Sequence, residues 1–312
     1  MKNKDQAMNN IEKTLKACYG RSEYSELHAV YELTNEKLCK VVTHELETQL
    51  RHEMHYDQNL YIDFIWIDKA PYAKFDPIQN DINSNQILGK VELGDFAIIY
   101  RQRQVFQNKN NPEIQNLQKR AAIVQAKLTN ENNPFVPIAK LNSKRVTSTS
   151  KELKLLEDWP KFHLYKASNS NEVLCRDLKV NNDSSVKALF GGFNNELKTW
   201  IFGEAKSTTK CTLRYSDLLY GMLKNSLGKS IDEKDLDWKR LFEQIELVSI
   251  NRKLSKIYDK NEKSAVTRIR VCGPLEKFLR FILGKKMFLI ILIDQIDYEG
   301  HEIKYLKGIS TK

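Results

Sequence analysis

In the segment that begins at Asn35, an apolar residue recurs at every fourth position, which is a helical pattern. This spacing places the apolar side chains on one face of a helix, and Thr34 or Asn35 supplies a suitable cap. The stripe consists of Leu38, Val42, Leu46 and Leu50. We therefore expect helical structure over residues 8–54.

A different pattern follows, in which short segments are rich in β-branched and aromatic residues, as is typical of strands. Segments with Pro, Asn and other polar residues separate them and predict connections. The expected strands are 59–68, 90–101 and 120–128, and the expected connections are 72–87, 104–118 and 129–137.

The second half of the chain has weaker patterns. Residues 153–165 predict a helix end, a break at Pro160 and a short strand, whereas 168–185 is polar and predicts a loop, and 186–203 predicts irregular structure. Helices are expected at 215–227 and 237–247. The run 287–294 is short, continuous and β-branched, which favours a buried central strand.

Composition limits the class of protein. Hydrophobic residues make up 41% and charged residues 29% of the 312, with 12 Gly and 7 Pro, which excludes collagen-like, coiled-coil and wholly disordered chains. The longest apolar run, Met287–Ile293, is far shorter than the ~20 residues that span a bilayer. The charged N-terminus lacks a secretory signal, so we expect a cytoplasmic protein without a membrane segment. The five cysteines are scattered and lack a C-x-x-C pair, so neither disulfides nor a thiolate zinc site is expected.

The net charge of +10 is unevenly distributed. Residues 1–99 carry 11 basic and 16 acidic side chains, whereas residues 100–154 carry 11 basic and 3 acidic ones, and residues 252–270 add a second basic cluster. Such clusters are typical of surfaces that neutralise phosphates, although solvated basic faces are the alternative. The candidate nucleic-acid contacts are Arg101, Arg103, Lys119, Arg120, Lys144, Arg145, Arg252, Lys253, Lys256, Arg268 and Arg270.

Three polar residues on two of the predicted strands suggest chemistry. Asp95 begins a very apolar strand, where an unpartnered carboxylate is costly. Gln125 and Lys127 are two residues apart, so a strand directs both side chains to one face. A carboxylate and an amide oxygen suit a hard cation such as Mg²⁺, and the lysine can orient or deprotonate a water or stabilise charge on a phosphoryl group.

The segment from about Asn35 to Leu128 resembles the PD-(D/E)xK nuclease superfamily, to which many restriction endonucleases belong. In that family a helix with a Glu precedes a β-meander whose second strand supplies an Asp and whose third supplies an acidic-x-Lys pair. The resemblance implies that Asp95, Gln125 and Lys127 are catalytic, with Asp95 and Gln125 holding Mg²⁺ or Mn²⁺. Glu45 would be the helix Glu, with Glu47 as second choice. Two departures are Gly94 in place of Pro and Gln125 in place of an acid, although the superfamily includes Q-x-K variants.

Other interpretations stay open. Asp95 would cap a turn and Lys127 would be an exposed strand-end lysine if the segment had only a structural role. The pair His52-x-x-His55, with His44 nearby, has no third metal ligand at a set spacing. The defining loops of P-loop, Rossmann and α/β-hydrolase proteins are absent from the sequence.

We thus expect an α/β protein whose mixed central sheet is flanked by helices in the restriction-endonuclease-like manner, with a C-terminal α/β elaboration. The expected nuclease core is 1–166, and 167–312 is an accessory region whose strand near 287–294 closes that sheet or forms a second core. The implied function is metal-dependent hydrolysis of DNA in a bacterial restriction or anti-phage setting. The alternative is a catalytically inactive module that binds nucleic acid or recruits a partner. Expected partners are nucleic acid and either a second copy of the chain or a defence-system protein.

Overall fold

The structure is a computed structural model that describes residues 4–54, 58–68, 71–75, 89–107, 112–138, 147–251 and 287–299. Its helices are α1 (Lys4–Cys18), α2 (Glu26–Glu32), α3 (Glu36–Met54), α4 (Thr147–Asp158), α5 (Tyr215–Leu223) and α6 (Leu236–Asn251). Its strands are β1 (Gln58–Asp68), β2 (Tyr72–Phe75), β3 (Val91–Glu92), β4 (Phe96–Gln107), β5 (Pro112–Thr129), β6 (Phe162–Tyr165), β7 (Val173–Leu178), β8 (Ala188–Asn194), β9 (Thr199–Glu204), β10 (Leu213–Arg214), β11 (Lys229–Ser230) and β12 (Met287–Glu299). None of the described helices is long and apolar enough to cross a membrane.

The chain forms a mixed α/β structure around one large sheet. Its strand order is β1-β12-β4-β5-β8-β9-β10, with β11 also paired to β5. The β12–β4 and β5–β8 pairs are parallel, and the other pairs are antiparallel. A smaller antiparallel sheet has the order β3-β2-β6-β7. The expected mixed α/β class with a helix-flanked sheet is confirmed.

Both faces of the large sheet are covered, which explains the continuous apolar runs of its central strands. On one face Phe96 and Ile98 pack in a first core with α1, α2, α3 and α5. On the other face Ala97 and Ile99 pack in a second core with α4, α6 and the small sheet. The alternation along β4 therefore assigns each of its side chains to one of two distinct interiors.

Several expected elements are confirmed. They are the strands at 59–68, 120–128 and 287–294, the break after α4 followed by β6, and the helices at 215–227 and 237–247. The cap of α3 is Asn35, whose Oδ1 accepts a bond of 3.0 Å from the Lys37 N–H. The strand β12 lies between β1 and β4, so it completes the main sheet. Strands from both sides of residue 166 pair in that sheet.

Other expectations were wrong. The helical region 8–54 is interrupted between α1 and α3, where Ser25 caps α2. Within the loop expected at 104–118, residues 104–107 continue β4 and residues 112–118 begin β5, because polar residues suit a ladder that extends beyond the apolar cores. The loop expected at 168–185 contains β7.

The segment 186–203, expected to be irregular, forms β8 and β9 instead. Glycine commonly marks a turn, but Gly191 and Gly203 instead allow close packing within a sheet. A Cβ on Gly191 would lie 2.6 Å from the Phe202 ring, and one on Gly203 would lie 2.8 Å from Cys211 Sγ.

Candidate active site

Asp95 lies in the short connection between β3 and β4, where its backbone is bound from two sides. Its N–H donates to the Val124 carbonyl at 2.9 Å, and its carbonyl accepts from the Leu289 N–H at 3.2 Å. The preceding Gly94 is required by this approach, because a Cβ there would lie 2.6 Å from Ile123 Cγ2 and 3.0 Å from the Val124 carbonyl oxygen. Gly94 thus stands where close contact with β5 leaves no room for a Cβ.

The Asp95 carboxylate is held by the strand that contains Gln125. Asp95 Oδ2 accepts from Gln125 Nε2 at 2.6 Å and from the Ala126 N–H at 2.7 Å. The Gln125 side chain is buried, and its Oε1 has no hydrogen-bond partner among the described residues. An unsatisfied buried amide oxygen is costly unless something binds it. Gln125 thus faces Asp95 with its amide N–H, and its buried Oε1 is left without a partner among the described residues.

Lys127 is buried beside this pair and is not an exposed strand-end lysine. Its Nζ lies 2.9 Å from Glu152 Oε2 on α4, and the side chains are 3% and 9% exposed. Burial lowers the pKa of Lys127, but the carboxylates of Asp95, Glu152 and Glu26 outweigh that effect and raise it. Lys127 is therefore a protonated cation at neutral pH.

Asp95 lies near other carboxylates. Burial and the charges of Glu92 and Glu26 raise the pKa of Asp95 to about 8, whereas Lys127 and the Ala126 N–H act in the opposite direction. Glu92 and Glu152 are both buried. Because Glu92 and Glu26 oppose the ionisation of Asp95, a cation bound at Asp95 would favour the ionised form.

The residues expected to supply the helix carboxylate lie in other contacts. Glu45 is buried on α3, and its Oε1 accepts from Asn10 Nδ2 at 3.0 Å. Glu47 accepts from the Leu60 N–H at 2.8 Å. The helix carboxylate that acts on both Asp95 and Lys127 is Glu26, the first residue of α2. No sequence signal marked Glu26, because α2 is a short helix of seven residues, and none marked Glu152.

Three of the expected phosphate-binding residues are engaged with carboxylates. Arg101 and Arg103 both contact Asp294 on β12, and Lys119 Nζ lies 2.6 Å from Glu246 Oε2 on α6. Arg120 is half-buried on β5. The remaining expected contacts, Lys144, Arg145, Arg252, Lys253, Lys256, Arg268 and Arg270, lie outside the described residues.

The histidine alternative gains no support from the geometry. His44 and His52 are exposed on α3, and His55 lies outside the described residues. Within the described ranges, no group of three or more His, Cys, Asp and Glu side chains is arranged to hold a metal ion. Asp95 and Gln125 would supply only two protein ligands, which is a number that Mg²⁺ accepts when water and substrate complete its shell.

Comparisons with known proteins give no family for the chain. No protein-family model matches it, and no curated protein and no solved structure is similar enough to count as a match.

The raised pKa of Asp95 predicts how stability depends on pH in metal-free buffer. A carboxyl whose folded-state pKa exceeds its ordinary value of 3.8 stabilises the fold at low pH and loses that contribution as the pH rises through about 8. From pH 4 to 8 the free energy of unfolding should thus fall, by at most about 1.4 kcal/mol per pH unit from this group. Urea denaturation of wild type and Asp95→Asn in EDTA checks this, because the variant should lack the slope.

Asp177→Asn is a matched control for this pH series, because Asp177 is exposed and its pKa is lowered by Lys161. Parallel pH profiles for wild type and Asp95→Asn would show that Asp95 titrates near its ordinary value.

Proposed function

We propose that the chain is a divalent-metal-dependent hydrolase of phosphodiester bonds in nucleic acid, with a restriction-endonuclease-like core. The observation that carries the proposal is the buried Gln125 Oε1, which has no hydrogen-bond partner among the described residues, on the amide that contacts Asp95. Nearby carboxylates oppose the ionisation of Asp95, so a cation there would favour its charged form. This arrangement favours binding of a cation through oxygen atoms. Asp95 directly precedes β4, and the Q-x-K segment lies on the antiparallel neighbour β5, in the order that the family resemblance implies. One departure is that β12 separates β1 from β4.

The donor set fits Mg²⁺ or Mn²⁺ better than a softer metal, because it consists of oxygen atoms. Asp95 and Gln125 would hold the ion, and Gln125 Nε2 keeps its amide oriented by donating to Asp95 Oδ2. A metal bound there would supply charge neutralisation at the scissile phosphate and activation of water. Glu92 and Glu26 add negative charge that favours a divalent ion over a monovalent one.

Lys127 has a narrower role than the sequence suggests. Since its pKa is raised, it stays protonated and is unsuited to deprotonating water. Its positive charge instead favours the ionised form of Asp95 and would stabilise negative charge on a phosphoryl group. Contact with a substrate phosphate requires that Glu152 and α4 move away, because the Lys127 side chain is 3% exposed.

A second function is favoured by that same burial. The buried contact of Lys127 with Glu152 is also the arrangement expected of a structural ion pair. If the pair has only that role, the chain is a catalytically inactive module on a related fold. Such a module would bind nucleic acid or a partner protein through its basic segments. Under this alternative, divalent ions would neither bind near Asp95 nor stabilise the fold.

Gln125→Glu separates the two functions. A new carboxylate would replace the amide that donates to Asp95 Oδ2 at 2.6 Å, so repulsion should destabilise the metal-free protein by about 1–3 kcal/mol. If the position is a metal ligand, Mg²⁺ or Mn²⁺ should restore the melting temperature and bind about tenfold more tightly than to wild type. Calorimetric titration and thermal melting with and without EDTA measure both effects.

Gln115→Glu is the matched control for this substitution, because Gln115 is exposed on the same strand. It should change neither stability nor metal affinity. A destabilised Gln125→Glu whose melting temperature divalent ions do not restore would remove Gln125 from the metal site.

A further inference from the structure

An exposed aromatic ring lies in the segment that follows the Q-x-K strand. Phe135 is 57% exposed, although its two chain neighbours, Pro134 and Val136, are buried. A single exposed apolar side chain is common on protein surfaces, so its surroundings decide whether it has a role. Three features of these surroundings indicate one.

The first feature is an antiparallel bridge that pairs Phe135 with Lys210. Its two hydrogen bonds are donated by the N–H groups of Val136 and Cys211 to carbonyls of the facing segment, at 2.8 and 2.9 Å. These bonds flank the pair, so Phe135 and Lys210 form a non-hydrogen-bonded pair, whose Cβ atoms approach to about 5 Å. The phenyl ring and the lysine chain therefore leave the surface side by side.

Further bonds hold the segment opposite Phe135 in one conformation. The Thr208 N–H donates to the Val136 carbonyl at 2.9 Å, and the Ser207 N–H donates to Glu157 Oε1 on α4 at 2.9 Å. Thr208 has φ +65°, which is costly for a β-branched residue and persists only where other contacts impose it. The ring is thus presented by an ordered backbone, which lowers the entropic cost of binding a ligand.

The second feature is the proximity of Phe135 to Lys127. Gly192 pairs with Lys127 in the β5–β8 ladder. A Cβ on Gly192 would lie 3.0 Å from Thr129 Cγ2 and 3.4 Å from Pro134 Cγ. Thr129 shares a face of β5 with Lys127, because it comes two residues later. Pro134 therefore covers the sheet on the face of Lys127, and Phe135 is the next residue.

The third feature is the charge beside the ring. Lys210 is exposed and forms no ion pair with another described residue. The nearby Lys206 is also exposed, but its Nζ lies 2.7 Å from Glu204 Oε1. An aromatic ring next to a free cation is the combination that binds single-stranded nucleic acid, in which a base stacks on the ring and a phosphate contacts the cation.

We propose that Phe135 stacks on an unpaired base of the nucleic acid and that Lys210 contacts an adjacent phosphate. The base must be unpaired, because a base within a continuous duplex already stacks on both of its neighbours. The inference rests on the proposed function for the class of its ligand, but on none of the metal ligands. It assigns the preferred substrate as a single strand or a duplex with an unpaired end or bulge.

Binding of a fluorescently labelled single strand about 12 nucleotides long tests the stacking contact. Titrations are done in EDTA, so that no strand is cleaved. Phe135→Ala should bind the single strand at least about fivefold more weakly than wild type, and Phe135→Tyr should bind it like wild type. A blunt duplex of the same length should bind wild type and Phe135→Ala equally.

The salt dependence of the same titration tests the phosphate contact. Lys210→Gln should reduce the slope of log K against log salt concentration by about 0.7, as expected when one phosphate contact to a single strand is lost. Phe135→Ala should leave that slope unchanged, because stacking releases no counterions.

Leu236→Ala is the matched control, because Leu236 is 56% exposed at the start of α6. It should bind both strand forms like wild type. If Phe135→Ala binds the single strand as tightly as wild type, or if Phe135→Tyr binds as weakly as Phe135→Ala, the stacking contact is overturned. Equal weakening on single strand and duplex would overturn the preference for an unpaired base.

The inference and the proposed function fail in different ways. Single-strand binding that depends on Phe135, in a protein that binds no divalent ion, would support the stacking contact and contradict the metal-dependent hydrolase. Binding that is independent of Phe135, in a protein that cleaves with Mg²⁺, would do the reverse. If wild type binds neither strand form, the stacking contact is overturned in favour of a protein partner at Phe135.

Discussion

Asp95→Asn is expected to lower divalent-ion-dependent cleavage of DNA by at least about a hundredfold while the protein stays folded. An asparagine oxygen can still accept the Ala126 N–H, so the local hydrogen bonding persists. The negative charge that would hold a metal ion is lost, however, and with it the activation of water. Single-turnover cleavage in Mg²⁺ or Mn²⁺, measured beside thermal melting, checks both parts of this expectation.

The matched control for the activity assay is again Asp177→Asn, which removes an exposed carboxylate and should cleave like wild type. If wild type cleaves and Asp95→Asn cleaves at a comparable rate, the site is placed on the wrong residues. If wild type cleaves neither DNA nor RNA with either ion, and neither ion binds, the inactive-module alternative holds.

The second large effect concerns the stability of the buried Lys127–Glu152 pair. Lys127→Met should destabilise the fold by about 3–5 kcal/mol, because Glu152 would keep a buried charge without its cation. Adding Glu152→Leu should recover a large part of that loss, since a buried ion pair is often replaceable by apolar groups of similar volume. Urea denaturation of wild type, both single variants and the double variant gives the coupling energy.

The exposed pair Lys161–Asp177 offers a control cycle of the same chemistry. Its atoms approach to 2.7 Å, but the side chains are 58% and 57% exposed. Solvent screening should limit its coupling to below about 1 kcal/mol. A coupling energy for Lys127 and Glu152 as small as that of the control would mean that the buried pair contributes little to the fold.

Sequence patterns predicted the central strands because both faces of those strands are buried. Around Ile98 and Ile291, successive residues are apolar whichever face of the strand they occupy. An exposed strand or an amphipathic helix would instead have polar residues on one face. The strands β8 and β9 were not predicted because glycine usually indicates a turn. In the structure, Gly191 and Gly203 lie within strands, where the absence of a side chain makes room for Phe202 and Cys211. Which neighbour approaches a glycine is decided by tertiary packing, so local sequence cannot supply it.

The same limit applies to the candidate site. Alternation along one strand predicted that Gln125 and Lys127 share a face. The order of the helix and strands predicted that Asp95 lies beside them, as it does in the structure. The counter-ion Glu152 and the helix carboxylate Glu26 come from distant helices. Their proximity depends on how α4 and α2 pack on the sheet, and no spacing in the sequence encodes it.

Because β12 lies between β1 and β4, the central sheet cannot be completed until β12 has been synthesised. Leu289 donates to the carbonyl of Asp95, so the backbone around the candidate site lacks one of its supports until β12 has been synthesised. At roughly 5–20 residues per second, the ribosome needs on the order of 10–40 s to proceed from β4 to β12. During that interval the apolar edge of β4 has no partner and requires protection from aggregation. A nascent chain would thus acquire the complete backbone support of Asp95 only after β12 has left the ribosome.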